Sequence, residues 1–334
     1  MASLSGGGDG RGGPRVAVLG ATGCVGRAVC AALARSGYGV LAVARSFRPA
    51  VAGHPFVALD VAAAHPEELS DLLERYGVTA VVNATGGWGT TREEMEYAHV
   101  LLVERLLRAV ALMARRPRLV HMGSIHEYGP VPFGTAIHEG VVPRPATAYA
   151  RTKLAGSTAV LEAARAGEAD AVVLRAVNVC GPYTTPASFL GGVVERLRAL
   201  PPGAVLTLSI AEARRDFVDV RDLAEATVLA VPAPVAGRVV NIGRGVAVGM
   251  RELVALLVAE AGLPPGTVRD EGGSVDSKGG GWTLADTRLA AELLGWRART
   301  GLAGSLRAMW DARETAPGTG PTITQDEESP WPTS

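Results

Sequence analysis

Between Pro14 and Val179 the sequence alternates between short apolar runs and longer segments with apolar residues at helical spacing. The apolar runs are rich in β-branched residues and predict buried strands: PRVAVLG, GVLAVAR, PFVALDV, VTAVVNATG, PRLVHMGS and DAVVLRAVNV. The helical segments lie between them: CVGRAVCAALARSG, PEELSDLLERYG, REEMEYAHVLLVERLLRAVALMARR and residues 149–166. Strands and helices that alternate at this spacing predict an α/β fold with a parallel, doubly wound sheet.

After Gly181 the regular alternation ends, and proline-rich loops separate shorter elements. We expect a smaller lobe there that completes a cleft over the carboxyl edge of the sheet, although part of it returns to the first domain in an alternative interpretation. The chain is thereby divided into four predicted parts: a flexible tail at 1–13, a nucleotide-binding domain at 14–180, a substrate-binding lobe at 181–314 and a disordered tail at 315–334.

Composition narrows the function classes. Of 334 residues, 48% are hydrophobic, and the formal net charge is zero, so we expect no nucleic-acid or anionic-membrane partner. The N-terminus lacks the apolar stretch of a signal peptide, and we expect a cytoplasmic protein. Cys24, Cys30 and Cys180 lack the spacing of a disulfide framework or zinc site, so they are interpreted as incidental thiols, and no metal is expected.

Three glycines follow the first predicted strand, in the segment GATGCVG. Gly20, Gly23 and Gly26 there permit a tight turn and the close approach of backbone to a pyrophosphate, while the following helix offers free N–H groups. A purely structural turn is the alternative. The position at the start of a βαβ series favours dinucleotide binding and a Rossmann-type domain.

The end of the second strand bears on the choice of cofactor. An acidic residue there would bind the ribose hydroxyls and indicate NAD, but this chain has Arg45 and Ser46, with Arg48 nearby. A guanidinium beside a hydroxyl suits a 2′-phosphate, so we expect NADPH. A solvated arginine in an arginine-rich chain is the alternative. Asp60 is placed either to meet the adenine amino group or to be an ordinary turn residue.

Tyr149 and Lys153 lie four residues apart on a predicted helix, so their side chains share one face. Lys153 is one of two lysines in a chain with 31 arginines. A phenol has a pKa of about 10, and a nearby cation is expected to lower that pKa toward neutrality. A lysine ammonium also donates to sugar hydroxyls as a compact charge. Ser124 ends the fifth strand, where its hydroxyl would hold a carbonyl oxygen. An exposed Tyr–Lys pair and a turn serine are the alternatives.

Seven segments spread over about residues 15 to 310 resemble the extended short-chain dehydrogenase/reductases, the NAD(P)-dependent epimerase/dehydratase group. They occur here in the order seen in that group: GATGCVG, MGSIHEYG, YARTK, LRAVNVCGP, RDFVDVRDLAEA, VVNIG and LLGW. The resemblance implies a Rossmann domain with a small C-terminal lobe that usually receives a nucleotide-sugar. It also implies dimerisation through a four-helix contact, for which helices 92–115 and 149–166 are the candidates.

The resemblance implies roles for individual residues. Tyr149, Lys153 and Ser124 would be catalytic, and Asn178 and Arg215 would contact the diphosphate of a sugar nucleotide. The cofactor would meet a larger set along the cleft: Gly20, Thr22, Gly23, Cys24, Val25 and Gly26 at the pyrophosphate, Asp60 and Val61 at adenine, Ala84, Thr85 and Gly86 in the middle, and Ala176 near the nicotinamide.

Departures from the family's pattern bear on the reaction. The family's 4,6-dehydratases carry an acidic pair directly after the catalytic hydroxyl residue, whereas Ile125 and His126 stand here; dehydration is therefore disfavoured. Trp88 is expected to pack on the sugar or nicotinamide, with core packing as the alternative. His126 is expected at the substrate, as a second proton donor or as a turn histidine.

These observations favour an NADPH-dependent ketoreductase acting on a nucleotide-linked, dTDP-type 4-keto-6-deoxysugar of the kind used in antibiotic deoxysugar pathways. Arg45 favours an exchanging NADPH over the tightly held NAD that an epimerase needs. A nucleotide-sugar epimerase stays the nearer alternative, and a non-catalytic NADP-sensing protein on the same fold the more distant one. The nucleotide base, the stereochemistry and the oligomeric state are left open.

Overall fold

The computed structural model describes residues 13–87, 91–272 and 280–313. The two predicted tails therefore lie outside the described residues, apart from Gly13. The strands, in chain order, are β1 (Arg15–Leu19), β2 (Gly39–Ala44), β3 (Phe56–Ala58), β4 (Val78–Asn83), β5 (Arg118–Ser124), β6 (Asp170–Ala176), β7 (Asn178–Cys180), β8 (Leu206–Leu208), β9 (Arg214–Asp219), β10 (Val239–Ile242), β11 (Ala247–Gly249), β12 (Val268–Asp270) and β13 (Trp282–Thr283).

The helices are α1 (Cys24–Arg35), α2 (Pro66–Arg75), α3 (Arg92–Glu96), α4 (Leu102–Leu112), α5 (Ala148–Arg165), α6 (Phe189–Arg198), α7 (Val220–Ala230), α8 (Met250–Glu260), α9 (Arg288–Leu294) and α10 (Leu302–Asp311). A π-helical turn, Tyr97–Leu101, joins α3 to α4, and short 3₁₀ turns occur at Pro49–Val51 and Ile125–Tyr128.

Seven strands form the central sheet in the order β10-β6-β5-β4-β1-β2-β3, and all of its neighbouring pairs are parallel. The predicted Rossmann-type α/β architecture is thereby confirmed. The strand order reverses at β1, whose neighbours are β2 on one side and β4 on the other. Ligands of such sheets bind in the crevice at the carboxyl ends of the strands beside this reversal.

Apolar side chains cover both faces of the central sheet, which is why its strands read as continuous hydrophobic runs. Val16 and Val18 point to one face and pack with α1 and α7, whereas Ala17 and Leu19 point to the other and pack with α2, α4 and α5. Because successive side chains alternate between faces, the side chains of β1 pack against a layer of helices on each side of the sheet. This packing fixes the strand ends that border the cleft.

The segment after Gly181 contributes to two places. β10 lies in the central sheet beside β6, and α7 packs against the same core as α1. α9 also packs in that core. Most of the remaining segment forms a smaller lobe, in which α6, α8 and α10 enclose a separate apolar cluster with β8 and β9. A second sheet, β11-β9-β13 with β7 paired to β9, connects this lobe to the end of β6. The domain boundary drawn from the sequence stays a prediction.

Two predicted elements are divided in the structure. The long helix after residue 92 is interrupted by the π-helical turn Tyr97–Leu101. The predicted sixth strand stops at Ala176, and Asn178–Cys180 pairs with β9 in the second sheet. Both breaks occur beside the cleft, so they change which side chains reach it. Within the described ranges, no helix has the length and apolarity needed to cross a membrane.

Candidate active site

A cleft of about 2220 Å³ runs along the carboxyl ends of the central strands and under the smaller lobe. Most residues predicted from the sequence to meet cofactor or substrate line it: Gly20, Thr22, Gly23, Cys24, Val25, Arg45, Ser46, Asp60, Val61, Ala84, Thr85, Gly86, Ser124, His126, Tyr149, Lys153, Ala176, Asn178 and Arg215. Gly26 lies just behind this wall. Trp88 lies outside the described residues, so its predicted role is untested.

The glycine-rich turn after β1 forms a cradle, and its shape requires residues that have no side chain. Gly20 has φ +78°, in the left-handed region. A Cβ on Gly26 would lie 2.1 Å from the Gly20 carbonyl oxygen, whereas one on Gly23 would meet nothing closer than 3.4 Å. α1 starts at Cys24 with no acidic residue in its first turn, so its N-terminus favours an anion. This cradle fits the pyrophosphate of a dinucleotide.

At the adenosine end, Arg45 and Ser46 follow β2 and are exposed to solvent. Asp60 is held by the Ala62 N–H, at 3.2 Å from its Oδ1. Tyr97, from the π-helical turn, joins them although it is exposed: partial desolvation and a hydrogen bond with Asp60 raise the pKa of its phenol, while the Arg45 charge acts in the opposite sense. Sequence reasoning missed Tyr97, because helical periodicity alone does not place it here.

The three predicted catalytic residues meet in the middle of the cleft. Ser124 is the last residue of β5, and Tyr149 and Lys153 lie on the first turns of α5, which Thr147 caps by accepting a hydrogen bond from the Ala150 N–H at 3.1 Å. The Tyr149 hydroxyl hydrogen-bonds with Ser124. Lys153 is 4% exposed, and its Nζ donates to the Met122 carbonyl oxygen at 2.5 Å. The geometry brings an acid, a hydrogen-bonding hydroxyl and a cation together.

The expected lowering of the Tyr149 pKa by Lys153 is not found in this arrangement. Burial raises the pKa of Tyr149 to about 12, the Ser124 hydrogen bond lowers it, and the Glu127 charge raises it. Burial also lowers the pKa of Lys153, against the opposing effect of Glu127. Desolvation of the phenolate therefore outweighs the Ser124 hydrogen bond, and the raised pKa of Tyr149 favours the protonated phenol at neutral pH.

Two buried histidines that sequence reasoning missed stand behind this pair. His99, from the π-helical turn, packs edge-on against Tyr149 with ring centroids 5.4 Å apart, and its Nδ1 lies 2.8 Å from Thr152 Oγ1. His121, on β5, lies 3.1 Å from the Asn83 amide nitrogen through its own Nδ1. Burial, then the Lys153 charge, lowers the pKa of His99 to about 3 and that of His121 well below its usual range. Both imidazoles are therefore neutral.

His126, Asn178 and Arg215 form the opposite wall of the cleft. His126 hydrogen-bonds with Asn178, and burial followed by the Arg215 charge lowers the pKa of His126 to about 4. A neutral imidazole is a poor proton donor at pH 7, so the alternative of a second acid at His126 is disfavoured. Arg215 is 7% exposed, and its Nη2 donates to the Gly280 carbonyl oxygen at 2.9 Å. A buried guanidinium in a cleft wall suits an anionic ligand.

β7 and β9 bring this wall together, because Asn178 is in register with Phe217, two residues after Arg215. Asn178 Nδ2 also donates to the Asp216 carbonyl oxygen at 3.1 Å. In the part of the chain that the structure describes, no group of three or more His, Cys, Asp or Glu side chains could hold a metal ion.

Fold and site together define a nicotinamide-dependent enzyme of the extended short-chain dehydrogenase/reductase class. The glycine cradle, the Ser–Tyr–Lys arrangement and the smaller lobe over the carboxyl edge of the sheet are the defining features. The family model described as the NAD dependent epimerase/dehydratase family matches residues 16–243. The chain belongs to that family.

Known proteins resemble the chain over most of its length. It is 42% identical over 309 residues to dTDP-6-deoxy-L-talose 4-dehydrogenase (NAD(P)(+)) from Kitasatospora kifunensis, covering 91% of this chain and 96% of that protein. It is 25% identical over 260 residues to GDP-6-deoxy-D-mannose reductase from Pseudomonas aeruginosa, covering 74% and 85%. Among solved structures, MoeE5 in complex with UDP-glucuronic acid and NAD matches with a TM-score of 0.78 and 30% identity, covering 90% and 98%.

Proposed function

We propose that the protein is an NADPH-dependent ketoreductase that reduces the C-4 keto group of a dTDP-linked 4-keto-6-deoxysugar. The observation that carries the proposal is the Tyr149 hydroxyl, which is hydrogen-bonded to Ser124 and shares a helix face with the buried Lys153, in surroundings that raise the pKa of the phenol. This is the arrangement that a proton donor to a carbonyl oxygen requires. Ile125 and His126 stand where elimination of water would need an acid and a base.

The names of the two relatives support the substrate class. One is a 4-dehydrogenase of a dTDP-6-deoxysugar, and the other is a reductase of a GDP-6-deoxysugar. Dehydrogenation of an alcohol at C-4 is the reverse of reduction of the ketone at the same carbon, so one site serves both directions. The relative with 42% identity covers nearly the whole chain. We therefore propose, from its name, that the reduced carbon is C-4 and that the nucleotide is dTDP.

In this mechanism the chain's own residues orient the carbonyl and supply its proton. Ser124 donates a hydrogen bond to the carbonyl oxygen, and Tyr149 transfers its phenolic proton to that oxygen as negative charge develops there. Lys153 would hold a ribose of the cofactor and would stabilise the phenolate left on Tyr149. The cofactor, when bound, supplies the hydride that adds to the carbonyl carbon. Tyr149 then regains a proton from solvent, which completes the balance of one ketone reduced to one alcohol.

Arg45 and Ser46 support NADPH as that cofactor. Their exposed side chains follow β2 at the adenosine end, where a guanidinium and a hydroxyl would bind a 2′-phosphate. On the other wall, Arg215 and Asn178 would bind the sugar nucleotide's diphosphate, with His126 close to the sugar. The buried Arg215 is suited to this because its charge is weakly screened there.

An NAD-dependent nucleotide-sugar epimerase is the second candidate. The observation that favours it is the similarity to MoeE5, which was solved with UDP-glucuronic acid and NAD. An epimerase removes hydride and returns it to the same substrate, so it would hold its NAD throughout purification.

Cofactor content distinguishes these two candidates. The purified protein is denatured and any released nucleotide is identified by mass; the empty protein is then titrated with NADPH and NADH and assayed with dTDP-4-keto-6-deoxysugars. We expect an empty protein that prefers NADPH and oxidises it once per sugar reduced. Stoichiometric NAD released from the protein, with no net NADPH consumption, would contradict the ketoreductase function and support the epimerase function.

A further inference from the structure

Glu127 is a buried carboxylate close in sequence to Ser124, one of the predicted catalytic residues. It lies in the 3₁₀ turn Ile125–Tyr128 that follows Ser124, and it is 0% exposed. It does not line the cleft, so it does not touch cofactor or substrate. An ionised carboxylate is costly to bury unless it is paired and hydrogen-bonded, and its partners therefore indicate its purpose.

Three elements beneath the site converge on this carboxylate. Oε1 accepts hydrogen bonds from the Ser124 backbone N–H at 2.7 Å and from Ser157 Oγ on α5 at 2.9 Å. Oε2 accepts one from Arg175 Nε on β6 at 2.7 Å, in an ion pair buried on both sides. Glu127 thus ties the end of β5, which carries Ser124, to the helix that carries Tyr149 and Lys153.

The polar network continues away from the cleft. The Arg175 guanidinium lies over the Tyr128 ring, 4.4 Å from its centroid, and the Tyr128 hydroxyl donates to Asn241 Oδ1 at 3.0 Å. Glu139 accepts from the Asn241 N–H at 2.8 Å at the far end. The network therefore holds a second carboxylate, farther from the catalytic residues and only half-buried.

Charged and titratable groups face Glu127 from each neighbouring element. α5 presents Tyr149 and Lys153, which both interact with the Glu127 charge, and β6 presents Arg175, which pairs with it. The Glu127 charge raises the pKa of Tyr149 and also that of Lys153. Both effects favour the state in which each group retains its proton.

We infer that Glu127 is a positioning residue that prepares this site for reduction: its carboxylate fixes Ser124 through the backbone and, as a buried negative charge, keeps the proton on Tyr149 until a carbonyl is bound. The inference rests on the proposed function, because retention of the proton helps reduction and hinders oxidation. Glu127 acts through Ser124 and Tyr149.

The test removes the Glu127 charge and observes Tyr149 without any substrate. Tyrosine labelled with ¹³C at Cζ is incorporated, the Tyr149 resonance is assigned with Tyr149→Phe, and its titration is followed by NMR in the free protein. We expect Glu127→Gln to lower the Tyr149 midpoint by about one pH unit. Glu139→Gln is the matched control, since it removes a charge from the same network, and its midpoint should stay within about 0.3 of wild type.

The pH dependence of turnover supplies a second readout. For Glu127→Gln, the alkaline limb of kcat/KM for ketone reduction should move to lower pH by the same amount, while Glu139→Gln follows wild type. Because Glu127→Gln leaves Arg175 unpaired, the double variant Glu127→Gln, Arg175→Gln serves where the single variant does not fold. The inference is overturned if Glu127→Gln does not move the titration midpoint of Tyr149, or if Glu139→Gln moves that midpoint by the same amount. If the Tyr149 midpoint moves but the protein reduces no keto-sugar, the effect of Glu127 on Tyr149 is supported and the proposed ketoreductase function is refuted.

Discussion

The two ends of the cleft are built in different ways. At the end with the predicted catalytic residues, Ser124 and Lys153 are 6% and 4% exposed; Lys153 Nζ donates to the Met122 carbonyl oxygen of β5, and the Ser124 N–H donates to Glu127 in the following 3₁₀ turn. At the adenosine end, Arg45 and Ser46 stand exposed after β2. Under the proposed function, the elements that the core packs would hold the catalytic residues, whereas the choice of cofactor would depend on solvated side chains. The first end therefore tolerates little change, and the second is open to substitution.

The largest effect is expected at the buried end, from Tyr149→Phe. This change removes the proton donor but leaves the ring that packs against His99. Turnover should fall by about a thousandfold or more, because the general acid is lost, while the Kd for the cofactor, measured by fluorescence titration, changes little. Retention of more than a tenth of wild-type turnover would contradict the assignment of Tyr149 as the acid.

Gly26→Ala tests the cradle that lies between the two ends. The added Cβ would lie 2.1 Å from the Gly20 carbonyl oxygen, so the turn or α1 must move. We expect cofactor binding to weaken by about a hundredfold, as measured by isothermal titration calorimetry. Gly23→Ala is the control, since its Cβ would meet nothing closer than 3.4 Å and should cost far less. Equal losses in the two variants would show that the cradle's shape is not the cause.

The contrast between the two ends also explains what the sequence could predict. Strand periodicity and the position of residues at strand ends are enough to predict that Ser124 and Asp60 lie at the cleft, because parallel strands end at one edge, whereas Ala84 was predicted from the family resemblance. Tyr149 and Lys153 follow from helical spacing. Boundaries between elements are harder to predict, as the division of the sixth strand after Ala176 shows.

The residues that were missed share a different origin. Tyr97 reaches the cleft and His99 packs against Tyr149 behind it because a π-helical turn shifts their register, and no local pattern in the segment signals that turn. Glu127 and Arg175 pair across elements 48 positions apart in the chain, so their proximity is a tertiary property. The Tyr149 pKa was misjudged for the same reason, since burial depends on the complete fold.

At the exposed end, Arg45→Ala should produce a smaller change with a distinct signature. Loss of a partly solvated contact to a 2′-phosphate should weaken NADPH binding by about tenfold and leave NADH binding nearly unchanged. Comparative titrations of both cofactors measure this ratio, with Arg48→Ala as the matched control for lost positive charge. Equal effects of Arg45→Ala on both cofactors would remove the argument for NADPH and strengthen the epimerase candidate.

The pH dependence of stability sharpens the description of the buried end. The folded protein lowers the pKa of His99 to about 3, whereas the unfolded chain takes up this proton near the usual value of about 6.5. As pH falls from there toward 3, the unfolded state binds the proton first, so stability is lost by at most about 1.4 kcal/mol per pH unit for this group. Urea unfolding between pH 7 and pH 4 measures the slope.

His99→Gln should flatten this acid-side slope even though it lowers stability at pH 7, because the glutamine cannot take up the proton. His65→Gln is the control, since His65 lies at the exposed start of α2, away from the catalytic residues. An equal slope in wild type and His99→Gln would show that burial does not lower the pKa of His99, and the imidazole would then be a second cation beside Lys153 below about pH 6.5.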